Sequence, residues 1–137
     1  MQVKFQCTFY PGGGSFHIFR SAEMYLTEAE ADCHLGKDTE AQAILNTLNK
    51  RFNPEYNCTK TGADLLEEVK LYRRIDLWGE GNDWFDCKRW NITLSRKSIA
   101  NGGSFHSTFA ITVGPKDNNE WVWAVPKKES DYNKLVK

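Results

Sequence analysis

RRIDLWGEGNDWFDCKRW, residues Arg73 to Trp90, interleaves charge with apolar and aromatic side chains more closely than an ordinary surface helix does. A surface helix puts the two on opposite faces. Here Arg73, Arg74, Asp76, Glu80, Asp83, Asp86, Lys88 and Arg89 alternate with Leu77, Trp78, Trp84, Phe85 and Trp90 around the Gly79-Glu80-Gly81 break. Charges set this close to a core are tolerable only when paired, because an isolated buried ion is strongly penalised. The stretch therefore reads as a structural keystone of locked opposite charges.

Working outward, the periodicity upstream is helical. Ser21 can cap a first helix, along which Ala22, Tyr25, Leu26, Ala29 and Cys33 form one apolar stripe. Gly36 stops it, since glycine enters the left-handed C′ conformation without a Cβ penalty. Asp38 can cap a second helix with the stripe Ala41, Ile44, Leu45, Leu48 and Phe52, ending before Pro54. Helices joined by so short a link pack antiparallel, and the pair resembles a tetratricopeptide unit. One such unit leaves a face that needs neighbours. Residues 53–62 read as a loop. A third helix is expected from about Ala63 to Trp78, carrying Leu65, Leu66, Val69, Tyr72 and Ile75 or Asp76. A short helix from Asp83 to Trp90 should place Arg89 over Phe85 and Lys88 over Trp84.

Near the C-terminus the period changes to two. Phe105, Ser107, Phe109, Ile111 and Val113 alternate with polar residues, and Trp121, Trp123 and Val125 do the same after a polar turn. Phe105 to Val125 thus reads as a β-hairpin ended by Pro126. Gln2 to Tyr10 could form a strand before Pro11-Gly12-Gly13-Gly14. Gly13-Gly14-Ser15-Phe16-His17 recurs as Gly102-Gly103-Ser104-Phe105-His106, with no wider repeat around either copy.

The chain has 137 residues, enough for one domain with a core, and its 18 basic and 18 acidic residues cancel. No net field points to nucleic acid or an anionic membrane. Aromatics make up 13% of the residues, and core filling accounts for most of them. No apolar run is long enough to span a bilayer, and no signal peptide or lipidation cysteine is evident. Cys7, Cys33, Cys58 and Cys87 are far apart, without the close ligand pairs of a zinc site, so no metal or cofactor is expected. Unpaired, buried thiols are favoured, with Cys7 and Cys58 the first pair to test for a disulfide. Asn57-Cys58-Thr59 and Asn91-Ile92-Thr93 match the glycosylation pattern, which matters only in a eukaryotic secretory protein.

Three stretches resemble the SusD/RagB family of Bacteroidetes nutrient-binding lipoproteins. Arg73 to Trp90 is similar to its Arg-Arg-x-Glu-Leu, Glu-Gly, Trp-Phe-Asp and Lys-Arg-Trp motif, with Asp76 where Glu is usual and Cys87 where Leu or Ile is usual. Arg20 to Gly36, RSAEMYLTEAEADCHLG, resembles the family's Glu-Met-Tyr-Leu helix, and Trp123 to Val136, WAVPKKESDYNKLV, its closing segment. The resemblance implies a mainly α fold: a tetratricopeptide-like hairpin, further helices and a C-terminal β-hairpin. One domain, residues 1–137, would comprise a helical part 20–90, a loop and β-hairpin 91–126 and a tail 127–137. Family members are several times longer, so the chain would match only their C-terminal part, as an excised or truncated piece. The family's signal and lipid anchor would lie elsewhere, and the anchor would be the route to the membrane.

By the same resemblance, the intact molecule would hold an oligosaccharide or other nutrient at the outward face of the outer membrane. It would pass that nutrient to a SusC-like TonB-dependent transporter. Sugar-contacting residues come largely from other regions of the family, so none is assigned here. Arg73, Arg74, Asp76, Glu80, Trp84, Phe85, Asp86, Arg89 and Trp90 match its motifs as architecture.

No catalytic residues are expected. Glu80, Asp83 and Asp86 lie near Trp78 and Trp84, as glycosidase carboxylates do near aromatics. With Arg73, Arg74, Lys88 and Arg89 alongside, however, an ion network fits better, because an arginine-paired carboxylate is a poor general acid. His17, His34 and His106 are scattered, and no nucleophile elbow or phosphate loop is present. The rival to a glycan binder is an interaction scaffold that docks a protein on the hairpin Ser21 to Phe52. An exposed apolar groove along Ala22, Tyr25, Leu26 and Ala29 would favour the scaffold. A ring-lined concavity with converging amides would favour the glycan binder.

Overall fold

The structure is a computed structural model and describes residues 18–114. Four helices, α1 (Ser21–His34), α2 (Asp38–Asn49), α3 (Gly62–Asp76) and α4 (Asn82–Arg89), precede two short strands, β1 (Leu94–Ser95) and β2 (Thr112–Val113). Over the described residues the protein is mainly helical, with one small antiparallel β pair, as the sequence led us to expect. It divides into two compact units, one running to Asp83 and the other from Trp84.

In the first unit α1 packs on both α2 and α3. Leu26, Ala29, Ala41, Leu45, Cys58, Leu65, Val69 and Leu77 form its core, with Cys33, Ile44, Leu48, Tyr56 and Tyr72 against them. Three α1 residues of the expected stripe, Ala22, Leu26 and Ala29, are buried, but Tyr25 is half exposed. Phe52 is 79% exposed, because α2 ends at Asn49 and the helical phase does not carry to it. No described aromatic is fully buried: Leu, Ala, Val and Cys fill the interior instead. The expectation that most aromatics are core residues fails over the described residues.

The helix ends have local causes. Gly36 has φ +72°, and α1 closes as a Schellman motif: Lys37 N–H donates to Asp32 O (2.8 Å) and Gly36 N–H to Cys33 O (3.2 Å). The N-terminal expectations need correction. Ser21 is the first helical residue and Arg20 the N-cap, without a side-chain cap, because a guanidinium has no acceptor for the orphan N–H groups of the first turn. Asp38 does not cap α2. Its carboxylate accepts from Gly62 N (2.8 Å), supplying a partner for an otherwise unsatisfied amide at the start of α3.

Asp38 begins a polar stripe at four-residue spacing. Gln42 Nε2 donates to Lys60 O (2.7 Å), and the Asn46 amide both accepts from Cys58 N (2.7 Å) and donates to Cys58 O (3.5 Å). These bonds pin the connection between α2 and α3 against α2 and satisfy backbone groups that burial would otherwise orphan. Cys58 is buried as a result, and Cys33, Cys58 and Cys87 are free thiols. Burial, followed by Asp38 and Asp32 nearby, pushes the Cys33 thiol up. Cys7 lies outside the described residues.

Tyr56 meets Tyr72 edge to face (5.0 Å between centroids, 76°), and its hydroxyl donates to Glu68 (3.1 Å), which also holds Lys60 (2.6 Å). Burial first, then the nearby Cys58 and Glu68, raise the Tyr56 phenol well above its usual range. The folded state therefore holds this proton more tightly than the unfolded state. Its stabilising contribution is complete below the ordinary tyrosine pKa of about 10 and is lost as pH rises beyond it. Alkaline titration followed by ultraviolet absorbance should show a tyrosine that ionises only as the fold is lost. Ionisation of every tyrosine in the ordinary range, with helical content intact, contradicts this.

In the second unit α4 ends in a Schellman motif built on Asn91 rather than glycine. Asn91 has φ +59°, Ile92 N–H donates to Cys87 O (2.9 Å), and Asn91 N–H donates to Lys88 O (3.2 Å). Asparagine is the usual substitute there. Arg89 lies over Trp90 (4.7 Å), where the spacing pointed to Phe85, whose ring is exposed. The strand expected at Phe105 to Val113 is mostly replaced. Ser107–Phe109 forms a 3-10 turn, begun by the His106 ring accepting from Thr108 N (3.3 Å), and such local bonds compete with a ladder. Thr112 and Val113 pair with Ser95 and Leu94, and Phe105 forms an isolated parallel bridge with Ser98. The expected second strand at Trp121 to Val125, the Gln2 to Tyr10 strand and the 127–137 tail lie outside the described residues.

Gly102 and Gly103 are both required by the turn they make. Gly102 has φ +75°, and a Cβ on Gly103 would meet the Lys97 carbonyl oxygen, so Gly103 must stay glycine for its N–H to reach Ser98 O (2.8 Å). This accounts for one copy of the Gly-Gly-Ser-Phe-His repeat; the other lies outside the described residues.

Candidate functional site

Among the described residues, seven of the eight charges of the opening stretch, all but Lys88, are paired, and Asp76 and Glu80 share a partner that lies outside it. Arg20 reaches from the start of α1 to Glu80 Oε1 (2.5 Å), Asp76 Oδ1 (3.1 Å) and the Asp76 carbonyl (3.0 Å). The Glu80 side chain is only 9% exposed. Burial opposes the Arg20 charge, but the hydrogen bonds it donates to Glu80 and Asp76, with their negative charge, outweigh it and raise the guanidinium. One forked cation thus ties the entry of α1 to the end of α3 and the Gly79–Gly81 turn. Positive φ at Gly79 (+77°) and Gly81 (+87°) shapes that turn, so that Glu80 meets Arg20.

Buried Arg73 donates to Thr27 Oγ1 (3.0 Å) and faces Glu23 (3.7 Å), a second tie between α3 and α1. In the second unit, buried Asp86 accepts from Arg89 (2.9 Å). Arg74 and Asp83 pair at 2.6 Å with both side chains nearly half exposed, so this pair adds little. Glu80, Asp83 and Asp86, the carboxylates that could suggest a glycosidase, each hold an arginine. Among the described residues no cluster of His, Cys, Asp or Glu could hold a metal ion, and no helix is long and apolar enough to cross a membrane.

Beside this network lies a cavity of about 330 Å³ between the end of α2, α1 and α3. Ala22, Leu26 and Leu48 form its apolar side, and Phe52 and Tyr72 bring rings to it. Asn49 and Asn53, four residues apart, contribute two amides, and Arg20, Arg51 and Asp76 the charged edge. Of Ala22, Tyr25, Leu26 and Ala29, along which a docking scaffold would need an exposed groove, Tyr25 is half exposed and the other three are buried, and a second cavity is lined by Tyr25, Ala43, Ile44, Thr47, Leu48 and Arg51. The cavity beside the network has two rings, Phe52 and Tyr72, and two amides, Asn49 and Asn53, in its lining. Sequence reasoning assigned Phe52 to a core stripe and overlooked Asn49 and Asn53. Their four-residue spacing around an aromatic at a helix end was the available signal.

Comparison with known proteins agrees with this architecture. Residues 8–135 match the SusD family. Among solved structures, the fold is similar to a SusD-like carbohydrate-binding protein from Bacteroides vulgatus, at 26% identity and a TM-score of 0.70. The match covers 94% of this chain and 31% of that one, so the chain spans about a third of the protein it resembles. No curated protein sequence matches. With almost its whole length described by one family, the chain belongs to the SusD family.

Proposed function

We propose that this chain is part of a non-catalytic glycan-binding component of an outer-membrane nutrient-uptake system, working with a SusC-like TonB-dependent transporter. The supporting observation is the family match over residues 8–135, joined to a structural neighbour that is itself a carbohydrate-binding protein. The chemistry of the charged residues is consistent with binding alone. A glycosidase needs one carboxyl group able to give a proton and a second placed across the scissile bond. Here Asp76 and Glu80 share Arg20, while Asp83 and Asp86 face Arg74 and Arg89. The nutrient is captured outside the cell and handed on unchanged.

The test is a glycan array probed with the polypeptide that carries this chain, followed by analysis of each bound glycan for cleavage. Binding to at least one oligosaccharide without release of new reducing ends is expected. Failure to bind any glycan, or steady release of shorter sugars, contradicts the reading.

A further inference from the structure

We propose that the cavity at the end of α2 is a subsite for one pyranose ring of an oligosaccharide. This rests on the glycan-binding reading and adds a location and a ligand class to it.

A pyranose has an apolar C–H face and a rim of hydroxyls that both give and accept hydrogen bonds, and a matching site needs rings and a few fixed polar groups. Phe52 supplies an exposed ring and Tyr72 a half-buried one. The Tyr72 ring is fixed by its edge-to-face contact with Tyr56. Both amides are also held in place. The Asn49 NH2 donates to Leu45 O (2.9 Å), which leaves its carbonyl oxygen to accept. The Asn53 carbonyl oxygen accepts from Glu55 N (3.2 Å), which leaves its NH2 to donate. Backbone bonds from Phe52 N and Asn53 N to Asn49 O (3.0 and 2.9 Å) set the spacing of these groups before any ligand arrives. Preorganisation of this kind lowers the ordering cost of binding.

Arg20 is already matched by Asp76 and Glu80, while Arg51 lies over Phe52 at 5.9 Å on the charged edge of the cavity. The cavity, about 330 Å³, is at the small end of ligand sites and accommodates a single ring with its neighbours outside.

The test is a titration of the chain with neutral gluco-, manno- and xylo-oligosaccharides, observed by NMR at the side-chain amides of Asn49 and Asn53 and the ring of Phe52. These signals are expected to move with at least one sugar. Phe52→Ala and Asn53→Ala, at exposed positions and with helical content confirmed, should each weaken that binding by about tenfold or more. Binding that neither variant changes overturns the subsite and leaves the glycan reading standing. Absence of binding by every sugar tested overturns the subsite, as does occupancy of the cavity by an apolar dye that no sugar displaces, and the glycan reading then stands or falls on the array.

Discussion

Leu45→Ala is expected to destabilise the protein by about 3 kcal/mol, within the range of about 2–5 seen for leucine truncation at fully enclosed sites. Leu45 is 0% exposed and sits in the core with Leu26, Ala29, Ala41, Leu65 and Val69. Its side chain comes from α2, but the shell around it comes from all three packed helices. The void left by truncation therefore cannot close by shifting one element, and the lost contacts add to the lost transfer free energy. Urea unfolding should show a lower midpoint with the same slope. A loss below about 1 kcal/mol, the range for sites that repack freely, contradicts this description of the core.

Arg20→Leu is expected to cost about 2 kcal/mol, somewhat less than the 3–5 of a fully buried pair, because the Arg20 side chain is 24% exposed. The leucine leaves Asp76 and Glu80 facing one another without the cation that joined them, and Glu80 is nearly enclosed. Arg20→Lys should recover part of the loss, since a point charge replaces the fork but cannot bond both carboxylates and the Asp76 carbonyl. Combining Arg20→Leu with Glu80→Gln should cost less than the sum of the single changes, because both changes break the same Arg20–Glu80 contact. Additivity within error would mean that the two side chains do not stabilise one another.

The helical hairpin was legible because its signals are local. Gly36 stands where α1 must turn, and Ala22, Leu26 and Ala29 lie on the stripe that is buried. Tyr25 and Phe52 misled for different reasons. Tyr25 falls at the flank of its stripe, while Phe52 follows the last turn of α2, where helical phase no longer applies. Asp38 looked like a cap because it begins a helix, yet its partner is Gly62, 24 residues on, and only the run Asp38, Gln42, Asn46 hinted at a shared task. The β pair was misplaced because alternation in Phe105 to Val113 outweighed the short Leu94–Ser95 segment. His106, bonding to Thr108, took that backbone into a turn.

For the candidate site, the opening stretch showed that its charges must be paired, but not with which residues. The two side-chain bonds that define the network span 56 and 60 residues, to an arginine that looked like the ordinary start of a helix. Asn49 and Asn53 were invisible for a related reason. An asparagine near a helix end is commonplace, and only the fold brings Tyr72 and Asp76 of α3 to the same cavity.

The most direct discriminator is Glu80→Gln, assayed together for unfolding midpoint and glycan cleavage. If Glu80 is held by Arg20 to brace the fold, the variant has a lower midpoint, and neither it nor the parent protein shortens any sugar. Cleavage by the parent that disappears in Glu80→Gln, with the midpoint unmoved, would show that this carboxylate performs chemistry and that the network is not a brace.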